Sequence, residues 1–186
     1  MVEGRVGTGG TIDSVLGQLR VVGAGAARAG DTVFVPAGTI HAINAGIMLF
    51  EIQQKSDLTY RVYDYDRRDA QGRPRELHIE RALDVTTYDA APPAVVAPKR
   101  LDGVRTLLVQ CPYFTMERWE LSAPLDTATD TASFEILTAI DDAADLTWDD
   151  GTRRLARGES IVLPASLGAY RLAPAPRVTL LRCYVA

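Results

Sequence analysis

The sequence predicts an all-β protein made of small antiparallel barrels of the jelly-roll type, with one or two short helices. Short runs of β-forming residues alternate with polar, Gly- or Pro-containing turns along most of the chain. One segment also recurs, because GESIVLPA at residues 158–165 repeats the pattern of GDTVFVPA at residues 30–37. The 186 residues, 47% of them hydrophobic, are enough for one large core or two small ones.

The first half of the chain contains the most chemically suggestive stretch, residues 30–61. We expect short strands there, at residues 32–35, 39–44, 47–54 and 58–63. In the third of these, alternation puts Glu51 and Gln53 on one face, which suits a polar patch inside a barrel. A solvent-exposed strand end explains the same pattern equally well. Helical spacing predicts a short helix at residues 11–20, and residues 77–83 are expected to form a second helical or turn segment.

A Pro-rich stretch, AAPPAVVAPKR, is the best candidate for a linker and divides the chain at residues 91–100. Beyond it the pattern is typical of closely spaced strands. We expect them at residues 104–110, 114–121, 133–140, 145–148, 160–163, 169–172 and 178–185. In the register of the repeat, Ala169 stands opposite His41, so the second copy keeps the turns and loses the histidine.

Composition excludes several classes of protein. The formal net charge is −4, with 20 basic and 24 acidic residues and no basic stripe, so a nucleic-acid partner is not expected. No apolar run reaches membrane-spanning length and no signal peptide is visible, so we expect a cytoplasmic protein without a membrane partner. Cys111 and Cys183 are too few for a disulfide framework or a zinc cluster, and each is expected to be a buried free thiol.

Three segments occur in order: GDTVFVPAGTIHAI from residue 30, EIQQKSDLTYRVYDYDR from residue 51 and RELHIERALDV from residue 75. Together they resemble the C-terminal part of class I mannose-6-phosphate isomerases of bacterial type, which belong to the cupin superfamily. The resemblance implies cupin-like jelly-roll barrels, with residues 1–90 as the C-terminal part of a first, metal-site cupin domain and residues 101–186 as a second, degenerate one. The implied reaction interconverts mannose 6-phosphate and fructose 6-phosphate.

The resemblance also implies a zinc site. In the family, a Gln-x-His pair, a Glu and a final His of the PAGTxHA motif bind the metal, and His41 matches that final ligand. No Gln-x-His motif precedes His41, however, and zinc sites need three or four protein ligands. Even with Glu51 the set is incomplete, so the missing ligands are expected from an N-terminal half or another chain. The other histidine, His78, is expected to be structural or exposed.

The resemblance assigns roles to further residues. Arg61 matches the active-site arginine, which would bind phosphate or stabilise the enediolate, and Glu51 matches an active-site carboxylate that would act as acid and base. Gln53 and Asp57 are expected to bind the phosphosugar substrate. Judged from the residues alone, Arg61 can also be an exposed strand residue paired with Asp57 or Asp64.

Two functions stay open. One is an isomerase that is complete only with its N-terminal half. The other is a metal-free cupin module with a sugar-binding or structural role. Because a barrel without its first strands exposes sheet edges, we expect a homo-oligomer or completion by an N-terminal half.

Overall fold

The computed structural model describes residues 2–3, 28–43, 46–56, 58–88 and 94–185. Contacts along the chain divide the protein into two compact units, Met1–Val95 and Val96–Ala186. The boundary falls inside the Pro-rich stretch that was predicted to be a linker. The structure is mostly antiparallel β-sheet and 7% helical, so the all-β, cupin-like fold class is confirmed.

The first unit is built from very short elements. Its described elements are β1 (Val2–Glu3), β2 (Val33–Phe34), β3 (Ile40–His41), β4 (Tyr60–Arg61), α1 (Ile79–Val85) and β5 (Ala94–Val95). Strand β1 lies between β3 and β4 and pairs with both in parallel, and β2 pairs antiparallel with β5. Ile40 and Ala82 are buried together, with Tyr60 and Val62 packed against them. This small apolar cluster holds α1 against β3 and β4.

One expectation for the first unit is wrong, and another concerns residues that the structure does not describe. The predicted strand at residues 47–54 is wrong, because the chain there is irregular and its apolar residues are exposed, Met48 by 98%. A strand needs a neighbouring chain to accept its ladder hydrogen bonds, and no described strand pairs with this stretch. The predicted helix at residues 11–20 lies outside the described residues. The predicted segment at residues 77–83 is confirmed as α1, and no helix in the described part of the chain is both long and apolar enough to span a bilayer.

The second unit consists of two antiparallel sheets. Its strands are β6 (Lys99–Arg100), β7 (Arg105–Gln110), β8 (Thr115–Leu121), β9 (Leu125–Ala128), β10 (Glu135–Ala139), β11 (Ala144–Trp148), β12 (Gly151–Leu155), β13 (Ser160–Leu163), β14 (Ala169–Pro174) and β15 (Val178–Tyr184). The larger sheet has the order β13-β10-β15-β8-β7-β6 and the smaller one β12-β11-β14-β9. Side chains from both sheets alternate into one apolar core that includes Trp119, Leu137, Leu172 and Leu180. Burying each such side chain stabilises the unit by about 1.5–3 kcal/mol.

All seven strands predicted for this unit are present, with ends that shift by a few residues. Three strands were not predicted, namely the two-residue β6 and the longer strands β9 and β12. Strands β9 and β12 are the two edges of the smaller sheet, so each pairs on one side only. Their sequences, LDTA and GTRRL, place polar side chains outward and lack the apolar alternation by which a strand is recognised.

The repeated segment has the same local structure in both units. Gly30 and Gly158, which open the two copies, both adopt left-handed backbone conformations, with φ of +91° and +81°. Strand β2 in the first copy corresponds to β13 in the second, and β3 corresponds to the start of β14. His41 therefore has Ala169 as its structural counterpart, and the second copy offers no metal-binding side chain at that position.

A group of charged side chains fills one end of the interior of the second unit. Glu135 is fully buried, and Arg182 donates to both of its carboxylate oxygens, at 2.8 and 2.5 Å. Glu117, which is 5% exposed, accepts a hydrogen bond of 2.7 Å from the Trp119 indole. The Tyr170 hydroxyl donates to Glu135, and burial beside this carboxylate raises the tyrosine pKa. We call Glu117, Glu135 and Arg182 the interior charge cluster.

The two cysteines are free thiols in different settings. Cys183 is 1% exposed, and this burial raises its pKa to about 12, as expected for an unreactive core thiol. Cys111 is half-buried, and its Sγ donates to the Phe114 carbonyl oxygen at 3.4 Å. The expectation of a buried thiol is therefore met by Cys183 and only in part by Cys111.

Gly38 is required by the turn that leads into β3. Its φ is +82°, and a Cβ there would lie 2.6 Å from Thr87 Oγ1 and 2.8 Å from the Val85 carbonyl oxygen. We expect Gly38→Ala to lower the free energy of unfolding by about 2–4 kcal/mol, because left-handed strain adds to a clash with backbone. Chemical denaturation measures this loss. Gly72→Ala is the matched control, since φ is +77° but a Cβ meets nothing within 4 Å; equal losses in the two variants would contradict the steric argument.

Candidate active site

His41 and Arg61 lie at the same level of the three-stranded sheet in the first unit. Strand β1 separates β3 from β4, and both residues are in register with Glu3. Residues in register share a pleat face, so the two side chains project to one side of the sheet. Two strand spacings put their Cα atoms about 10 Å apart. The neighbouring residues Ile40 and Tyr60 face the opposite way and pack in the apolar cluster with α1.

The His41 ring is held by the turn that precedes it. Its Nδ1 lies 3.0 Å from the Thr39 carbonyl oxygen, which can only accept a hydrogen bond, so Nδ1 carries the proton and donates. In the neutral ring, Nε2 is then the atom with the free lone pair. Histidines that bind metals are typically oriented in this way by a carbonyl on the other ring nitrogen. The half-buried His41 therefore has the tautomer that a metal ligand needs.

Both the backbone and the side chain of Arg61 are fixed. Its backbone N–H donates to His78 Nδ1 at 3.2 Å, and its carbonyl accepts from the His78 N–H at 2.7 Å. Its guanidinium donates to the Glu76 carbonyl oxygen at 3.4 Å, and its Nε lies 3.6 Å from Asp64 Oδ1. The side chain is 18% exposed. Arg61 thus forms the ion pair with Asp64 that one of the two predictions named, although it is not an exposed residue.

Asp64 is a buried carboxylate shared by two arginines. It is 6% exposed, and Arg75 donates to both of its oxygens, through Nε at 2.5 Å and through a second, shorter contact from Nη2. These hydrogen bonds hold the pKa of Asp64 below its ordinary value, and the positive charges of Arg75, Arg61 and Arg67 act in the same direction. Because the pKa is lowered, the stabilisation from this ion pair is present above the ordinary pKa of aspartate and is lost as the pH falls through the folded-state pKa.

Glu51 and Gln53 are not assembled around this pair. Glu51 and Gln53 are exposed and lie in the irregular stretch, so the strand expected to carry Glu51 toward His41 is not formed. Asp57 lies outside the described residues. Among the described residues, no hydrogen bond or ion pair joins Glu51 to His41 or Arg61. Of the four predicted site residues that the structure describes, it therefore brings together His41 and Arg61.

The described residues do not fit a complete zinc site by themselves. Within the described ranges, no group of three or more His, Cys, Asp or Glu side chains could hold a metal ion. His41 supplies one imidazole in a suitable tautomer, whereas zinc needs three or four protein ligands. Next to it the Thr39 hydroxyl is buried and has no hydrogen-bond partner among the described residues.

The sequence did not predict the ion pair of Arg75 with Asp64 or the hydrogen bond of His78 to the Arg61 backbone. Arg75 contacts Asp64 across eleven positions of the chain, and no periodic pattern links the two residues. His78 was expected to be structural or exposed, and it is structural. Its hydrogen bond to the Arg61 backbone could not be predicted from the sequence. The only available signal was the proximity of both residues within the RELH run, which belongs to the segments that carry the resemblance.

Two facing antiparallel sheets closed around one apolar core define the second unit as a cupin-type β domain. Residues 104–184 match the family model described as the cupin domain of mannose-6-phosphate isomerase. The match covers every strand of the unit from β7 to β15.

Similarity to known proteins extends into the first unit. The chain is 39% identical over 145 residues to the mannose-6-phosphate isomerase of Streptococcus mutans, covering 77% of this chain and 46% of the relative. It is 35% identical over 147 residues to the mannose-6-phosphate isomerase ManA of Bacillus subtilis, covering 78% and 46%. The crystal structure of the Bacillus subtilis mannose 6-phosphate isomerase superposes with a TM-score of 0.56 at 30% identity, covering 67% of this chain and 39% of that one.

The chain belongs to the mannose-6-phosphate isomerase family and corresponds to the C-terminal part of its relatives. It spans about half the length of the curated relatives that it matches.

Proposed function

We propose that this chain supplies the C-terminal part of a zinc-dependent aldose–ketose isomerase that interconverts mannose 6-phosphate and fructose 6-phosphate. In this proposal residues 1–90 are the C-terminal part of the metal-site cupin domain. Residues 101–186 are a degenerate cupin domain that serves as scaffold. The observation that carries the proposal is the common register of His41 and Arg61, which puts an imidazole and a guanidinium on one face of the sheet.

The isomerisation moves a proton between C1 and C2 of the sugar through an enediol, and negative charge develops on the neighbouring oxygens. The Arg61 guanidinium, fixed at both its backbone and its side chain, is placed to stabilise this charge or to hold the substrate phosphate. Glu51 is the proposed group that moves the proton. Because Glu51 is exposed, this role requires that a further segment cover it. Gln53 and Asp57 are proposed to contact the substrate.

Zinc is proposed to bind only when further ligands join His41. The described residues alone do not complete the site, so His41 would be one ligand of a set that needs at least two more. The missing ligands would come from an N-terminal half or from another copy of the chain.

An exposed apolar run supports such completion. The residues are consecutive and all exposed: Ile47 by 55%, Met48 by 98%, Leu49 by 46% and Phe50 by 37%. Contiguous exposed apolar residues of this kind are typical of surfaces covered by another segment or subunit. We propose that an N-terminal half, or a second copy in a homo-oligomer, covers them. The mass of the chain in solution distinguishes a monomer from an oligomer.

A metal-free cupin module is the second candidate function. It is suggested by the second unit, whose interior contains an apolar core and the interior charge cluster. Ala169 replaces the histidine there. A scaffold role for this unit is compatible with both functions, so the first unit decides between them.

Reconstitution tests the proposed function. The chain alone and the chain coexpressed with the N-terminal half of the Streptococcus mutans relative are assayed for isomerisation of mannose 6-phosphate and analysed for zinc. We expect near-background turnover and little zinc for the chain alone, and turnover with stoichiometric zinc for the complex. His41→Ala should remove both from the complex. A stable complex without turnover or zinc would support the metal-free module, and normal turnover by the chain alone would contradict the need for completion.

A further inference from the structure

One short segment, residues 75–78, contacts Arg61 directly and also through Asp64. Arg75 binds Asp64, the Glu76 carbonyl accepts from the Arg61 guanidinium, and His78 bonds to both backbone polar groups of Arg61. Helix α1 begins immediately afterwards, at Ile79. The segment is therefore anchored at the start of a helix that packs on the same sheet.

Asp64 is the link between Arg61 and this segment. Its carboxylate has little access to solvent and receives two hydrogen bonds from the planar fork of Arg75, a geometry that fixes the orientation of the carboxylate. With that plane fixed, Oδ1 faces Arg61 Nε at 3.6 Å. An unpaired surface arginine would instead sample many rotamers.

The backbone after Asp64 adds to this constraint. Tyr65 and Asp66 both have φ of +54°, a conformation uncommon for residues other than glycine. The Arg67 N–H donates to the Asp64 carbonyl oxygen at 3.0 Å and closes the turn. Strained positions of this kind persist only where the surroundings hold them, and they cluster at functional sites. Here the turn follows directly on Asp64, whose carboxylate pairs with Arg61.

We propose that Asp64, oriented by Arg75, is the positioning residue that sets the rotamer of Arg61 for catalysis. The proposal rests on the proposed function, since it gives Arg61 its catalytic role. Asp64 itself does not touch the reacting atoms. Its contribution is to fix the direction of the guanidinium before the substrate binds, so that no reorganisation is required when charge develops.

A direct test measures Arg61 in the chain without any assay of activity. Hydrogen exchange at Arg61 Nε–Hε is followed by nuclear magnetic resonance, with the signal assigned by its loss in Arg61→Lys. We expect Asp64→Asn and Arg75→Lys to speed this exchange at least about tenfold, because each weakens the ion pair that Asp64 forms with Nε at 3.6 Å. Arg73→Gln is the matched control. Arg73 lies in the same loop and pairs with Asp69 rather than with Asp64, so exchange at Arg61 should not change.

A kinetic test uses the chain reconstituted with the N-terminal half. Asp64→Asn is expected to lower kcat about 100-fold with little change in KM, because misplacing a group by about 1 Å can cost that much. Arg75→Lys, which keeps the charge and loses the fork, should lower kcat by less. A purely structural role would lower the thermal midpoint and the active fraction, leaving kcat per folded molecule and the exchange at Arg61 unchanged.

The outcomes separate this inference from the proposed function. If reconstitution yields no isomerase, the proposed function fails, and the exchange measurement still decides whether Asp64 fixes Arg61. Unchanged exchange in both Asp64→Asn and Arg75→Lys overturns the inference even if the complex is active. Wild-type kcat for Asp64→Asn in an active complex overturns it as well. Should Asp64→Asn fail to fold, Arg75→Lys carries both measurements.

Discussion

Replacing Arg61 with alanine in the reconstituted isomerase is expected to lower kcat/KM by about 10²–10³-fold, the usual effect of removing a fixed group that stabilises developing charge. In the free chain the guanidinium is held by Asp64 and Glu76 and the backbone of Arg61 by His78, so little of its binding energy goes into ordering the side chain. Initial rates with mannose 6-phosphate at several substrate concentrations give the loss in kcat and in KM separately.

Two control variants decide how Arg61 acts. Arg81→Ala removes an exposed arginine from α1, and it should leave kcat/KM unchanged. Arg61→Lys keeps the charge without the planar fork, so it should recover part of kcat if charge stabilisation dominates and little if bidentate binding of phosphate dominates. An Arg61→Ala complex with wild-type kcat/KM would remove Arg61 from the active site and leave the ion pair with Asp64 as its whole function.

Sequence reasoning succeeded where a pattern has a single physical cause. In the second unit each predicted strand has one face in the core, so apolar alternation and turn residues mark it clearly. The edge strands β9 and β12 do not have a full face in the core, because half of their backbone groups and most of their side chains face solvent. In the first unit, residues 47–54 have strand-forming residues, but no described strand lies beside them to complete a ladder.

In the candidate site, too, some features could be predicted from the sequence and others could not. His41 and Arg61 could be found because they lie in short motifs whose residues are consecutive. The contacts that fix them could not be found, since Asp64 and Arg75 are eleven residues apart and the hydrogen bond from Arg61 to His78 spans seventeen. Such contacts depend on the path of the loop between the residues, and neither periodicity nor composition describes that path.

The interior charge cluster of the second unit was also missed, although one signal was present. In β8 the sequence TMERWEL places Glu117 on the same face as Trp119, so a carboxylate at a core position was foreseeable. The other members of the cluster, on β10 and β15, come from distant parts of the chain. Arg182 contacts Glu135 across 47 positions and Glu117 across 65.

Removing Arg182 is expected to cause the largest loss of stability in the second unit. Arg182→Met leaves Glu117 and Glu135 buried without a cation, and breaking a buried ion pair in this way costs about 3–5 kcal/mol. Burial alone would lower the pKa of Arg182, but hydrogen bonding to Glu135 and the charges of both carboxylates raise it, so the guanidinium stays charged. At about 4–8 °C per kcal/mol for a unit of this size, the thermal midpoint should fall by more than about 12 °C.

A matched control separates the effect of burying an ion pair on stability from the effect of losing any ion pair. Arg171 and Asp126 form a close ion pair of 2.6 Å in the smaller sheet, with side chains that are 49% and 74% exposed. Arg171→Met should therefore cost less than about 1 kcal/mol. Denaturant unfolding of both variants gives the two values on one scale, and equal losses would contradict a special role for burial.

The double variant Glu135→Leu with Arg182→Met tests the cause of the loss. If Arg182→Met destabilises because it leaves the Glu135 carboxylate buried and unpaired, then removing that carboxylate too should recover much of the stability. Recovery should be incomplete, since Glu117 would keep only the Trp119 and Tyr184 donors, at 2.7 and 3.1 Å. A double variant as unstable as the sum of the two single variants would show that the cluster stabilises the barrel by packing, because lost contacts add whereas an ion pair can be lost only once.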